Sequence, residues 1–148
     1  MAERDPRAGR LLRGAAQGPV RQGPLAEREL ENRLFHEPQR LRRIGLDVEP
    51  VGRQVRHPHG GLVDVLFRDR GNGDLVVVAL RPGRAARGAV TRLLEDVARV
   101  SDLYGTARSA RGLLVAAELD PRAELMLRGA GNLGFARLGD LGLSAPRT

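Results

Sequence analysis

Residues 61–83 read GLVDVLFRDRGNGDLVVVALRPG, and the parsing of this stretch decides the fold. Two apolar segments, Gly61–Asp69 and Leu75–Leu80, flank Gly71-Asn72-Gly73-Asp74. Gly and Asn both accept the positive φ of a tight turn, so the stretch is predicted as a β-hairpin. Its second strand, LVVVAL, is apolar on both faces and is expected to lie centrally in a sheet. One carboxylate, Asp64, interrupts the first strand. An acid in an apolar strand needs a partner, and a divalent cation is the obvious one. Metal sites rarely rest on a single carboxylate, so the second ligand becomes the question.

Upstream, Leu30 and Leu34 lie four residues apart with Phe35 beside them, among Glu27, Glu29 and Glu31. That spacing predicts one face of a helix from Leu25, ended by Glu37-Pro38. The segment LDVEPVGRQVRH, residues 46–57, reads as an irregular first strand with a bend or an edge at Pro50 and Gly52. Downstream, Ala86, Val90, Leu93, Leu94, Val97 and Val100 fall near helical spacing, which predicts a long helix over Arg84–Tyr104 with Gly105 after its end. RGLLVAAEL, residues 111–119, is a further strand with apolar residues on both faces. Asp120-Pro121 supplies an N-cap and a first-turn Pro for a second helix, running to about Arg128. LGFARLG, residues 133–139, is a last short strand. The predicted order is α-β-β-β-α-β-α-β, an α/β fold with a mixed central sheet flanked by helices.

The chain of 148 residues has room for one domain. Residues 1–24, rich in Arg, Gly and Pro, are read as a disordered basic arm, 25–140 as the folded domain and 141–148 as a flexible tail. The first residues contain no continuous apolar segment of a secretory signal, and no run approaches the 18 or so apolar residues of a membrane span. No cysteine is present, which excludes disulfides, thiolate metal sites and a cysteine nucleophile. A cytoplasmic location is the default expectation. All 25 cations are Arg, the formal charge is +7, and the sequence pI is near 11.4. Such a balance favours an anionic partner, nucleic acid being the commonest, and the planar guanidinium suits phosphate.

Several motifs carry little. Gly129-Ala130-Gly131-Asn132-Leu133-Gly134 matches G-x-G-x-x-G, but a helix precedes it and a strand follows, the reverse of a dinucleotide site. It is read as a helix stop and turn. His57 and His59, on either side of Pro58, are expected to face solvent, and His36 stands alone. Ser101, Ser109 and Ser144 lie in no nucleophile-elbow context.

The hairpin is more informative. Fifteen residues after Asp64 comes Ala79-Leu80-Arg81, on the neighbouring strand. An acid on one strand followed by an acid-x-Lys triplet on the next is the arrangement of the PD-(D/E)XK nucleases. This sequence resembles, more specifically, the C-terminal nuclease domain of the NucS/EndoMS-type DNA endonucleases, of the RecB-like branch of that superfamily. The resemblance rests on GLVDVLFRDRGNGDLVVVALRPG, on AVTRLLEDV at residues 89–97, and on RGLLVAAELDPRAELMLRGAGNLGFARL at residues 111–138. It covers about residues 25–140.

The resemblance implies a Mg²⁺-dependent DNA endonuclease in which two carboxylates and a backbone carbonyl hold the ion, and a Lys positions the attacking water. Asp64 matches the metal-binding Asp, and the carbonyl of Leu80 the backbone ligand. Ala79 stands at the second metal-binding acid, Arg81 at the catalytic Lys, and Arg92 at a helix Gln. An acid of the first helix, matched by Glu27 or Glu31, is also implied. Losing a metal-binding carboxylate costs on the order of 4 kcal/mol or more of barrier. A guanidinium is a permanent cation in proteins, so Arg81 cannot act as a neutral base, although it can grip a phosphate oxygen. The expectation is a nuclease-fold protein that binds nucleic acid, DNA rather than RNA, through Arg53, Arg56, Arg81, Arg84 and Arg87, with cleavage impaired. Two alternatives accompany it. One is an active Mg²⁺ endonuclease using Asp64 with a relocated acid such as Glu95, three residues after Arg92, or with Glu27 or Glu31. Otherwise Glu95 and Asp96 form a solvated helix face pairing with Arg99. The other is a scaffold, as a homodimer or regulatory subunit, that touches no DNA.

Overall fold

The computed structural model describes residues 24–58, 60–105 and 109–144. The arm expected at 1–24 lies outside them up to residue 23, as do His59 and residues 145–148 of the expected tail. Within the described residues the chain runs through helix α1 (Pro24–His36), a 3-10 segment (Pro38–Ile44), strands β1 (Val48–Arg56), β2 (Leu62–Asp69) and β3 (Leu75–Ala85), helix α2 (Arg87–Tyr104), strand β4 (Ala110–Leu119), helix α3 (Pro121–Gly129), strand β5 (Leu133–Arg137) and a closing 3-10 turn (Leu138–Leu141). The two 3-10 segments are additions to the sequence reading. The five strands form one mixed sheet in the order β1-β2-β3-β4-β5. The first three are antiparallel neighbours, whereas β3, β4 and β5 run parallel.

The hairpin turns as its residues require. Gly73 takes φ +80°, the Asp69 carboxylate accepts from the Gly71 amide at 2.7 Å, and the Asn72 side chain accepts from Asp74 at 2.9 Å. These local bonds offset the backbone groups that the turn leaves out of the ladder. β3 is central, and every residue from Leu75 to Leu80 is buried. β1 is an edge strand whose register shifts between Pro50 and Gly52, where a Pro without an N–H costs least.

An apolar layer covers each face of the sheet. Leu30 and Leu34 of α1 and Leu41 of the first 3-10 segment pack on Val65, Phe67, Val76, Val78 and Leu80. Leu141 and Leu143, which lie past the boundary expected at residue 140, are buried in the same layer. The other face carries Val90, Leu93, Val97 and Val100 of α2 and Ala123 and Leu127 of α3, packed on Leu66, Val77, Ala79 and Leu114. Burial of this kind contributes about 1.5–3 kcal/mol for each large side chain and fixes both helices against the strands.

Helix α2 begins at Arg87, three residues later than the expected Arg84. Arg84 and Ala85 continue β3 instead, paired with Glu118 and Leu119 of β4 after a register shift at Arg81–Arg84. Pro82 stands in that irregular segment, where a missing ladder donor is tolerated. Asp120 caps α3 by accepting from the Arg122 amide at 2.8 Å, with Pro121 in the first turn. The Gly129–Gly134 motif closes α3 and leads into β5, with Leu133 and Gly134 already in the strand.

Candidate functional site

Asp64 sits on β2, and the β2–β3 ladder extends to Val65–Val78, one step short of an Asp64–Ala79 pairing. The hairpin thus brings the two motif positions to the same end of neighbouring strands. Ala79 is 5% exposed, and its methyl belongs to the layer beneath α2 with Ala85, Ala89 and Val90. It offers no ligand atom.

The oxygens around this point are already met by donors of the chain itself. Gln54 Nε2 faces Asp64 Oδ1 at 3.4 Å, and Arg92 Nη2 lies 3.9 Å from Asp64 Oδ2. Gln54 holds a left-handed backbone, φ +52°, which costs a non-glycine residue about 1 kcal/mol or more. Arg81 Nη1 donates to the carbonyl of Leu80 at 2.9 Å, and its Nε lies 3.7 Å from Glu27 Oε2. Arg92 also donates to the carbonyl of Leu62 at 3.1 Å and approaches Asp96 Oδ2 at 3.4 Å. Arg99 donates to Asp96 Oδ1 at 2.7 Å. The result is a chain of alternating charge, Asp64–Arg92–Asp96–Arg99, running from β2 along α2.

Asp96 is the acid that sequence reasoning missed. It is buried, 3% exposed, so the expectation of a solvated face fails at this residue. The reason is helical geometry: at 3.6 residues per turn Asp96 adjoins Val97 and Leu93, whereas Glu95 projects to the opposite side. Glu95 is exposed and, among the described residues, pairs with Arg99, at 3.9 Å. The structure does not bring it to Asp64. Burial raises the pKa of Asp96 above the usual carboxylate range, against the pull of Arg92 and Arg99.

The first helix brings both of its candidates into play, in different ways. Glu27 pairs with Arg81, whereas Glu31 is buried at 4% exposure with no hydrogen-bond partner among the described residues. Burial, then the charges of Asp64 and Glu27, push the Glu31 carboxyl up to about 7, against weaker opposing effects of Arg53 and Arg28.

A Mg²⁺ ion needs hard anionic oxygens in near-octahedral array. The residues at the matched positions do not fit one. Ala79 supplies nothing, the Leu80 carbonyl accepts from Arg81, and Asp64 is shared between Gln54 and Arg92. Among the described residues no three His, Asp or Glu side chains converge as a metal-binding group.

Residues 26–141 match the model of the endonuclease NucS C-terminal domain. The chain belongs to that family. Among solved structures, a repair endonuclease from Pyrococcus abyssi is similar at 30% identity and a TM-score of 0.64, over 86% of this chain and 50% of its own. EndoMS in complex with double-stranded DNA is similar at 28% identity and a TM-score of 0.64, over 92% of this chain and 51% of its own. EndoMS in apo form gives 30% identity and a TM-score of 0.62, over 82% and 47%. This chain spans about half the length of those proteins. No curated protein sequence matches it.

The arginines singled out for nucleic acid divide into two groups on this NucS-family domain. Arg53 is pinned to α1, its Nη1 donating to Asn32 at 3.0 Å and its guanidinium 5.6 Å from the centre of the Phe35 ring. Arg81 is held by Leu80 and Glu27, and Arg84 pairs with Asp120 at 3.3 Å. Arg56, at the end of β1, and Arg87, opening α2, are exposed and have no hydrogen bond or ion pair among the described residues. His57 does not face solvent as expected. Its side chain is 8% exposed, and Nε2 lies 2.6 Å from Asp102 Oδ2. That partner stands 45 residues away, on α2, beyond the reach of local sequence reasoning. The described residues contain no helix long and apolar enough to cross a membrane. Two cavities of about 390 and 350 Å³ border β5, and neither is lined by Asp64.

Proposed function

We propose that this chain is a nucleic-acid-binding protein of the PD-(D/E)XK nuclease fold, directed at DNA, whose cleavage chemistry is impaired. One observation carries the reading. The three places where the resembled nucleases put a carboxylate, a carbonyl and a lysine are filled by a methyl group, a carbonyl engaged by a guanidinium, and that guanidinium itself. The similar EndoMS structure is a complex with double-stranded DNA, and the net charge of +7 supports the same class of partner for this chain. A guanidinium offers charge and hydrogen-bond donors but no base, so Arg81 contributes attraction for phosphate rather than proton transfer.

A plasmid nicking assay in Mg²⁺ or Mn²⁺ tests the proposal. The expected result is binding without cutting. Cutting that disappears in Asp64→Ala overturns it.

A second reading, a cleavage-competent enzyme, draws on Glu31, whose buried carboxyl makes no hydrogen bond among the described residues and lies close enough to Asp64 to feel its charge. It requires cleavage that Glu31→Gln abolishes.

A further inference from the structure

Three oxygens, from a carbonyl and two carboxylates, face the guanidinium of Arg92. Asp96 Oδ2 lies 3.4 Å from Nε, while the Leu62 carbonyl at 3.1 Å and Asp64 Oδ2 at 3.9 Å face Nη2. Two of the three carry formal charge, and they come from separate elements, β2 and α2. The far sides of both carboxylates are also occupied, Asp64 Oδ1 by Gln54 and Asp96 Oδ1 by Arg99. The strained backbone of Gln54 is the conformation in which its amide faces Asp64.

We infer that Arg92 is a resident cation, filling a latent divalent-metal site made by Asp64, Asp96 and the carbonyl of Leu62, and that it excludes metal from this end of the sheet. The inference rests on the proposed loss of cleavage and deepens it. It differs from the matched motif in its ligands, since it involves neither residue 79 nor the carbonyl of Leu80. A protein cation cannot dissociate into solvent as a metal ion does. The cation that neutralises Asp64 and Asp96 is therefore permanent.

Removing the guanidinium should expose the site. In Arg92→Gln two carboxylates and a carbonyl lose their counter-ion, and hard anionic oxygens completed by retained waters are the ligands a Mg²⁺- or Mn²⁺-sized ion takes. The experiment is a Mn²⁺ titration of the full chain, without DNA, followed by thermal unfolding and calorimetry. Wild-type protein is expected to shift its Tm by less than about 1 °C in millimolar Mn²⁺, because an ion that does not bind cannot stabilise. Arg92→Gln is expected to gain a saturable calorimetric isotherm and a Tm rise of about 3–6 °C at ten times its own Kd. Adding Asp64→Asn to that variant should abolish the rise. Saturable Mn²⁺ binding with a matching Tm rise in the wild-type protein overturns the inference, and so does a folded Arg92→Gln without any gain. If Arg92→Gln fails to fold, the wild-type titration decides: saturable Mn²⁺ binding rejects the resident cation, and its absence supports it.

The outcome is separable from that of the nicking assay. Wild-type protein that binds Mn²⁺ without cutting DNA defeats the resident cation and leaves impaired cleavage standing. Protein that cuts DNA in Mn²⁺ defeats impaired cleavage and, with it, the exclusion of metal that rests on that reading.

Discussion

Arg81 donates to the carbonyl of Leu80, the residue immediately before it, at 2.9 Å. In the proposed reading, where Arg81 stands at the position of the catalytic lysine, its side chain is turned back on the backbone oxygen implied as a metal ligand. On that reading, restoring the chemistry requires freeing that oxygen and supplying a carboxylate at residue 79. Ala79→Glu with Arg81→Lys does both, but leaves Arg92 beside Asp64. The triple variant that adds Arg92→Gln is expected to nick plasmid DNA in Mn²⁺ at least about a hundredfold faster than the parent, the scale of one electrostatic catalytic group. The double variant should recover less. Equal activity in both variants would remove Arg92 from the account.

Glu31 makes stability fall as pH rises. Its carboxyl is pushed from 4.5 up to about 7 by burial and by the charges of Asp64 and Glu27. Between those values the folded protein holds a proton that the unfolded chain has released, so ionising Glu31 in the fold costs stability. The penalty is absent below pH 4.5 and complete above about pH 7, reaching on the order of 3 kcal/mol. Glu31→Gln is therefore expected to be about 2–3 kcal/mol more stable than wild type at pH 8 and equal to it near pH 4, by urea unfolding. A constant difference across that range would show that the charge of Glu31 is already compensated.

Gly112 tests the packing that fixes α2 to the sheet. A Cβ added there would lie 2.7 Å from Leu133 Cδ2 and 2.9 Å from Leu93 Cγ, on the strand and the helix that flank it. Gly112→Ala must therefore push Leu93 and Leu133 apart in a close-packed layer, at a cost of about 1–3 kcal/mol. Because Leu93 follows Arg92 directly, the shift should also disturb the Arg92–Asp64 approach. Denaturant midpoints of Gly112→Ala and Gly134→Ala provide the comparison. An added Cβ at residue 134 meets its nearest neighbour, Leu113 Cδ1, at an ordinary 3.8 Å.

The hairpin, the central strand and the cap of α3 were legible because each is specified by neighbours in sequence: Gly71-Asn72-Gly73-Asp74, LVVVAL and Asp120-Pro121. The start of α2 was not. Arg-Pro-Gly-Arg-Ala carries no strand pattern and becomes strand only through pairing of Arg84 and Ala85 with Glu118 and Leu119. The hairpin alone was enough to put Asp64 and Ala79 at the same end of neighbouring strands. Asp96 could have been found from the helical face shared with Leu93, Val97 and Val100, had that face outweighed its charge. The His57–Asp102 contact left no local signal at all.

Arg56 and Arg87 separate DNA affinity from the site itself. Both are exposed and carry no intramolecular pair among the described residues, so neutralising them disturbs nothing else that the fold holds. Arg81 and Arg53, by contrast, would release Glu27 and Asn32 when removed. If the two exposed guanidiniums contact phosphates, each releases about one condensed counterion, and each Ala substitution should flatten the plot of log affinity against log salt by about 1. The loss should be uniform across DNA sequences, because a phosphate contact carries no base information. Fluorescence anisotropy on duplexes of unrelated sequence, over a range of salt, gives both quantities. Unchanged slopes in Arg56→Ala and Arg87→Ala would move the interface to other cations, and no binding even at low salt would favour a scaffold that does not touch DNA.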